Sequence, residues 1–330
     1  MVAKQLNSNK LAFGRDNLLI QMWTVHRGMT LFFYANIIML LIALIGMTFD
    51  SREVLGQSTW AKTMKFSVSM LAYATTLIWL STFVTKGRRW FNRAITATAA
   101  LLMLEMVVII VQAVRGEAMH FNVSTPLNAA LWSTMTIAIF IFFGVTIAGF
   151  ILILRQKLVD RALMHSIRWG FSIMLLGLAL GFLMPGPKPN QVAIFEAGGQ
   201  PEMIGAHTVG APDGGPGLPI AGWSTEHGDL RIAHFVGLHG LQVIPLFGWW
   251  LFTRSRRRDN WLTSKQRLQL VWTGALTYLS IVLLVTWQAL RGQSIVAPDG
   301  LTIGLFAAII AAASASILMS LRTVDLQPVA

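Results

Sequence analysis

Eight stretches of this 330-residue chain are apolar for long enough, or nearly so, to cross a hydrocarbon core, which takes about 20 residues of helix. They fall at 28–49, 64–84, 94–114, 127–154, 169–185, 232–252, 268–290 and 301–321. Inside a bilayer every backbone N–H and C=O must be paired within the protein, so runs of this length form helices. The fifth is short and contains glycine, and its ends are the least sharply marked. The expected fold is an all-α integral membrane protein: eight transmembrane helices as two tandem four-helix bundles, with a long extracytoplasmic lid loop.

The cations orient it. With the N-terminus inside, the inner segments carry nineteen Lys and Arg residues. The outer loops carry five (Arg52, Arg115, Lys188, Arg231, Arg291), while Lys62 and Lys65 open the second span at its outer edge. Translocating cations is disfavoured, so both termini are expected in the cytoplasm, in the inner membrane of a cell. The net charge of +12 would suggest nucleic acid in a soluble protein. Here the cations sit in short inner loops where anionic lipid headgroups match them, and no nucleic-acid role is expected. The absence of cysteine excludes disulfides, thiolate iron–sulfur ligation and covalent c-type haem attachment. About 27 mixed residues precede the first apolar run, which is too long for a cleavable signal; residues 11–25 are suited to lie along the inner interface.

The run Gln112-Ala113-Val114-Arg115-Gly116 returns as Gln288-Ala289-Leu290-Arg291-Gly292, each time closing a long apolar segment. His26-Arg27-Gly28 before span one parallels the His165–Gly170 segment before span five. Ser124-Thr125-Pro126 before span four parallels Pro298-Asp299-Gly300 before span eight, with a small polar residue placed to cap each helix. The chain thus reads as two copies of one unit, related by an axis along the membrane normal because four spans per copy is an even number. The expected organisation is an N-terminal segment at 1–27, a first four-helix repeat at 28–154, and a second at 155–330 that includes the lid, 185–231. The lid is proline- and glycine-rich, and Ile194, Phe195, Met203, Ile204, Val209, Leu218, Ile220 and Trp223 are its expected apolar anchors. Loops this long are usually functional covers or disordered linkers, and apolar anchors favour the cover.

Residues with chemical potential gather on the outer side. Arg115 and Arg291, each preceded by a glutamine (Gln112, Gln288) one turn earlier, suit an anion clamp for a carboxylate, phosphate or haem propionate, together with Lys62 and Lys65. Snorkelling to headgroups competes with that reading. His120, His207, His234 and His239 are candidate ligands for haem or a transition metal, although no established metal-ligand spacing is present. His234 and His239 are five residues apart and diverge by about 140° on one helix, so one of them would pair with His120 or His207 instead. Glu105 is the only acid deep in a span, placed for proton relay or held neutral by a hydrogen bond. Asp229 is positioned as a helix N-cap, Asn122-Val123-Ser124 reads as a capping segment rather than a glycosylation site, and the tryptophans (Trp60, Trp90, Trp223, Trp249, Trp250, Trp261) read as interfacial anchors.

The stretches Trp60–Phe66, Arg115–Pro126 and Gly228–Gln242 resemble a family of bacterial eight-span membrane proteins, over most of the chain. That resemblance implies a bacterial inner-membrane location and no particular activity. In architecture alone, tandem four-helix bundles with an outer site resemble haem A synthase, which implies histidines on the second and fourth helices of each half. His234 or His239 would match one such position; the first half offers Lys62 and Lys65 there, and spans four and eight contain no histidine. Three readings follow: a membrane redox or cofactor-binding protein with those four histidines as ligands; a proton-coupled transporter of a small anion, with Glu105 as coupler and the lid as gate; and a non-catalytic assembly subunit. The lipid bilayer is the one partner common to all three.

Overall fold

The structure, a computed structural model, describes residues 18–257 and 262–322. Lys4, Lys10, Arg15, Arg258 and Trp261 lie outside the described residues, as does most of the segment before residue 27. The chain divides into two compact units, residues 1–156 and 157–330. The first holds α1 (Leu18–Val25), α2 (Arg27–Phe49), a hairpin of β1 (Glu53–Val54) and β2 (Gln57–Ser58), α3 (Ala61–Ser81), α4 (Arg88–Arg115) and α5 (Pro126–Leu154). The second holds α6 (Arg161–Gly181), α7 (Pro189–Glu196), β3 (Thr208–Val209) paired with β4 (Gly228–Asp229), α8 (Leu230–Arg257), α9 (Ser264–Leu290) and α10 (Gly300–Arg322).

Seven of these helices are long and apolar enough to cross a membrane: α2, α4, α5, α6, α8, α9 and α10. The protein is therefore a multi-pass membrane protein of α-helices. The segment expected as the second span is a 21-residue helix, α3, but with Lys62, Lys65 and its serines and threonines it is outside that set. The fifth expected span begins earlier than its apolar run. Asp160 accepts from the Leu163 N–H at 2.8 Å and starts α6 at Arg161. His165 therefore lies inside the helix, with its ring 5.7 Å from that of Trp272. His26, by contrast, is a true N-cap, its Nδ1 accepting from Met29 N–H at 3.1 Å. The two histidine segments are not equivalent.

Both units have the same neighbour pattern. In the first, α2, α3 and α4 pack in all three pairings, and α5 packs principally on α4. In the second, α6, α8 and α9 pack in all three pairings, and α10 principally on α9. Each unit is a three-helix core with a fourth helix laid on the third. We call the far end of a unit the end where its first and third long helices finish.

The closest contact is α6 on α8, and glycine makes it. A Cβ on Gly177 would fall 2.5 Å from the Gly237 backbone, and one on Gly240 2.6 Å from the Ile173 side chain. In apolar surroundings, helices associate by packing and close backbone approach, which small residues permit. Pro245 in α8 is accommodated over Gly170, where a Cβ would meet its ring at 2.7 Å.

The lid is held by buried polar groups together with part of the expected apolar set. Met203, Ile204, Val209, Leu218 and Trp223 are half-buried and Ile194, Phe195 and Ile220 exposed, whereas Gln191, His207, Thr208, Ser224 and Asp229 are buried. Gln191 accepts from the N–H groups of Lys188 and Gly205 and donates to the Gly205 carbonyl, stapling α7 to the loop that leads into β3. A loop with this many proline and glycine residues leaves backbone groups unpaired, and buried side-chain amides and carboxylates satisfy them. Trp60 also departs from expectation: it is 9% exposed, stacked where a Gly46 Cβ would sit, and donates from Nε1 to Asp50 at 2.8 Å. Trp90 and Trp250 remain exposed as interfacial residues do.

Candidate functional site

In the second unit the lid carries His207 to the start of α8, the helix that carries His234. The His207 carbonyl accepts from the Leu230 N–H at 3.0 Å, pinning His207 to the first residue of α8. His234 stands one turn further along that helix, within electrostatic reach of His207. His207 Nδ1 lies 2.5 Å from Asp213 Oδ2, and the Asp213 carboxylate also accepts from the backbone N–H groups of His207 and Thr208. Burial alone would raise the pKa of Asp213; the hydrogen bond and charge of His207, with those backbone donors, outweigh it and hold the carboxyl well below the usual range.

His234 lies against Gly181, where a Cβ would meet its ring at 3.0 Å. Its Nδ1 is 2.7 Å from the Gly177 carbonyl, which can only accept, so Nδ1 carries the proton and Nε2 keeps its lone pair. The glycines that let α6 and α8 approach thus also fix the tautomer of His234. His207 likewise directs Nδ1 at an acceptor, the Asp213 carboxylate. An imidazole whose Nδ1–H is held by a carbonyl or carboxylate is the arrangement that presents Nε2 to a metal. His239, the other histidine of α8, is 3.3 Å from the Gln242 amide oxygen. Among the described residues no group of three or more His, Cys, Asp or Glu side chains is arranged to hold a metal ion.

In the first unit His120 is bonded to Lys62, Nδ1 accepting from Nζ at 3.0 Å. Its ring packs edge-on to Phe66 and Phe121 and tilted on Trp132. Lys65 donates to the Gln57 amide oxygen at 3.1 Å. Glu105 is 4% exposed, and its Oε1 has no hydrogen-bond partner. Lys62 is the charge that reaches it.

The two glutamine–arginine motifs build the same corner. Gln112 Nε2 donates to the Ala118 carbonyl at 3.1 Å, and Gln288 Nε2 donates to the Ser294 carbonyl at 2.9 Å. Gly116 (φ +70°) and Gly292 (φ +73°) follow in the left-handed conformation that ends a helix without a Cβ clash. The next residues reach the one buried side chain in the first turn of the fourth helix: Glu117 accepts from Asn128 at 3.3 Å, and Gln293 accepts from Thr302 at 2.7 Å. Thr125 and Asp299 cap those helices, accepting from Asn128 N–H at 3.2 Å and Thr302 N–H at 2.8 Å. The arginines themselves differ. Arg115 donates to Gln112 and to Asn128 Oδ1, the latter at 2.7 Å, while Arg291 pairs with Asp299 at 2.5 Å and lies 4.3 Å over the Trp287 ring.

The expected set of site residues therefore separates into three groups. His207 and His234 lie near the start of α8 in one unit; His120, Lys62 and Glu105 are associated in the other; Gln112, Gln288, Arg115 and Arg291 serve the corners between helices. Asn122 forms a turn with Ser124 and leaves the capping to Thr125. Asp229 precedes α8, accepts from the Arg231 N–H at 3.0 Å, and pairs with the Arg231 guanidinium at 2.5 Å. Two functional partners went unread in the sequence, Asp213 and Gly177. The Pro212-Asp213-Gly214-Gly215 turn was a signal for the first, since aspartate before glycine organises backbone N–H groups. Nothing in sequence alone marks a backbone carbonyl as the partner of His234. Comparison of the chain with protein-family models, with curated proteins and with solved structures returns no match.

Proposed function

We propose that this chain is an eight-span inner-membrane protein built from two copies of one four-helix unit, and that the second copy binds haem or a transition metal through His207 and His234. The observation that carries the reading is the paired Nδ1 arrangement: the Asp213 carboxylate orients one imidazole and the Gly177 carbonyl orients the other, as the outer partners of metal-ligating histidines do. The donor set fits haem iron better than a structural metal. A closed zinc site takes four protein ligands and a catalytic one three, whereas haem iron takes one or two from the protein. The group would supply electron transfer or oxygen chemistry; the chain's own residues, Asp213 and the Gly177 carbonyl, would orient the imidazoles.

The duplication is supported by the shared neighbour pattern and by the matched corners after Gln112 and Gln288. Counting α3 as a span gives four per unit and returns the chain to the same side after each. The distribution of Lys and Arg supports a topology with both termini in the cytoplasm and the lid outside. An anion clamp at the two arginines has less support, since both guanidiniums are engaged by acceptors of their own unit. A transporter reading rests instead on Glu105.

The test is an absorption spectrum and metal analysis of detergent-purified protein, as isolated and after titration with haem. A Soret band, or one metal per chain, that is lost in both His207→Ala and His234→Ala and kept in His239→Ala is the expected result. A bound group that survives both substitutions, or no uptake of haem or metal at all, removes this reading.

A further inference from the structure

Four buried polar atoms of the first unit have no hydrogen-bond partner: Asn36 Oδ1, Thr63 Oγ1, Ser67 Oγ and Glu105 Oε1. Their residues are at most 4% exposed. They come from α2, α3 and α4, the three helices that pack mutually. Serine and threonine inside a helix ordinarily bond the carbonyl four residues back. Thr75 and Thr76 of α3 do so, at 2.8 and 2.7 Å, and Thr63 and Ser67 on the same helix do not. Nearly all buried polar groups in proteins are paired, so several orphans within one small core mark internal water or a ligand.

Their depths form a series. Thr59 Oγ1 donates to the Ala113 carbonyl at 3.1 Å, which sets α3 and α4 at a common level. Ser67 and Glu105 are each eight residues along the chain from that level, so at 1.5 Å per residue both lie about 12 Å below it, and Thr63 about half as deep. Lys62, bonded to His120, stands at the mouth and reaches Glu105 electrostatically. The helices packed on α4 present few other titratable groups: Lys65 and Tyr73 from α3, Arg27 and Tyr34 from α2, and none from α5.

We propose that the core of the first unit holds a short file of internal water through which Glu105 exchanges a proton with the aqueous phase at the far end, by way of Ser67, Thr63 and the Lys62–His120 pair. In the transfer the Glu105 carboxyl O–H bond breaks and its proton joins the adjacent water. Each hydroxyl or water in the file accepts one proton and releases another. The proton leaves to bulk water beside His120, and the carboxylate left behind becomes a counter-ion to the Lys62 ammonium. The reverse sequence reloads the acid. This is independent of cofactor binding at His207 and His234.

Infrared spectroscopy of the full-length protein in lipid vesicles tests it. The expected result is a carboxylic-acid carbonyl band that is lost in Glu105→Gln and shifts promptly when the medium is changed to D2O. A combined Thr63→Val and Ser67→Ala variant keeps the band and slows the shift markedly. A difference spectrum between wild type and Glu105→Gln that lacks this band overturns the proposal. So does a wild-type band that resists D2O. Should Glu105→Gln fail to fold, the exchange rate of the hydroxyl variant decides alone, and a rate equal to wild type sinks the idea. Haem and metal uptake by these variants, unchanged from wild type, keeps the result separate from the fate of the histidine site.

Discussion

His207 and Asp213 are joined through both backbone and ring: the Asp213 carboxylate accepts the His207 N–H at 3.0 and 3.1 Å, and the ring Nδ1 lies 2.5 Å from Oδ2. A single carboxylate thus folds a turn of the lid and orients an imidazole. Replacing it with an amide separates those jobs. Asp213→Asn keeps one acceptor oxygen and adds donors that face N–H groups, so the ring loses its charged partner. The expected loss in affinity for haem or metal is about 10–100-fold, the usual effect of removing a residue that orients a ligand. Titration followed by absorbance measures it, and an unchanged affinity would place His207 outside the binding site.

The α6–α8 seam has no room for a methyl group. Gly177→Ala introduces a Cβ 2.5 Å from the Gly237 backbone, with no flexible side chain to move aside. Separation of the helices is expected to cost about 1–3 kcal/mol, as overpacking does, and to weaken the bond from His234 to the Gly177 carbonyl. Thermal unfolding in detergent reads the first effect and haem titration the second. Gly304→Ala, which meets nothing within 4 Å, is the control and should leave the melting temperature unchanged.

Gly116 and Gly292 occupy equivalent corners at φ +70° and +73°. A side chain in that conformation costs about 1–2 kcal/mol, so Gly116→Ala and Gly292→Ala should each lower the melting temperature by a similar amount. Gly186→Ala, which has a negative φ and open space, should not. Unequal effects at the two corners would argue against their common origin.

Asp299 lies well below its usual pKa because Arg291 and the first-turn donors of α10 favour its carboxylate. With the folded-state pKa depressed, the pair stabilises the protein above the ordinary aspartate value of about 3.9 and ceases to do so as the pH falls through the lower value. Asparagine caps a helix about as well as aspartate, so Asp299→Asn isolates the charge. The difference in melting temperature between wild type and Asp299→Asn should be largest near neutrality and shrink as the medium is acidified below about pH 4. A difference that persists unchanged in acid would show that the ion pair contributes nothing.

Much of the fold was legible because bilayer physics leaves few options. Hydrophobic length alone located α2, α5 and α10 to within a residue or two, missed the polar starts of α4 and α9 and the polar end of α8 by four to six residues, and the Gln-x-x-Arg-Gly echo identified corners that the structure builds with the same hydrogen bonds. What sequence did not convey was held in close approach and in loops. The run 169–185 missed the polar first two turns of α6, which an N-cap rather than hydrophobicity defines. Trp60 looked interfacial, yet the bare backbone of Gly46 receives it, a relation between residues fourteen apart that no periodicity encodes. For the histidines, spacing conveyed no tertiary placement: His207 lies near the turn of α8 that carries His234 only because the lid returns to the first residue of that helix.

The final helix, α10, rests principally on a single neighbour, with Thr302 and Ser320 its only fully covered side chains among the described residues. Its height along α9 is set at two places, the hydroxyl bond of 2.7 Å between Thr273 and Ser316 and the Arg291–Asp299 clasp at the opposite extremity. Most of its circumference is therefore free to drift during evolution, constrained to stay oily but not to keep a particular shape. A helix fastened like a plank by two nails tolerates wholesale repainting, provided that the nails remain.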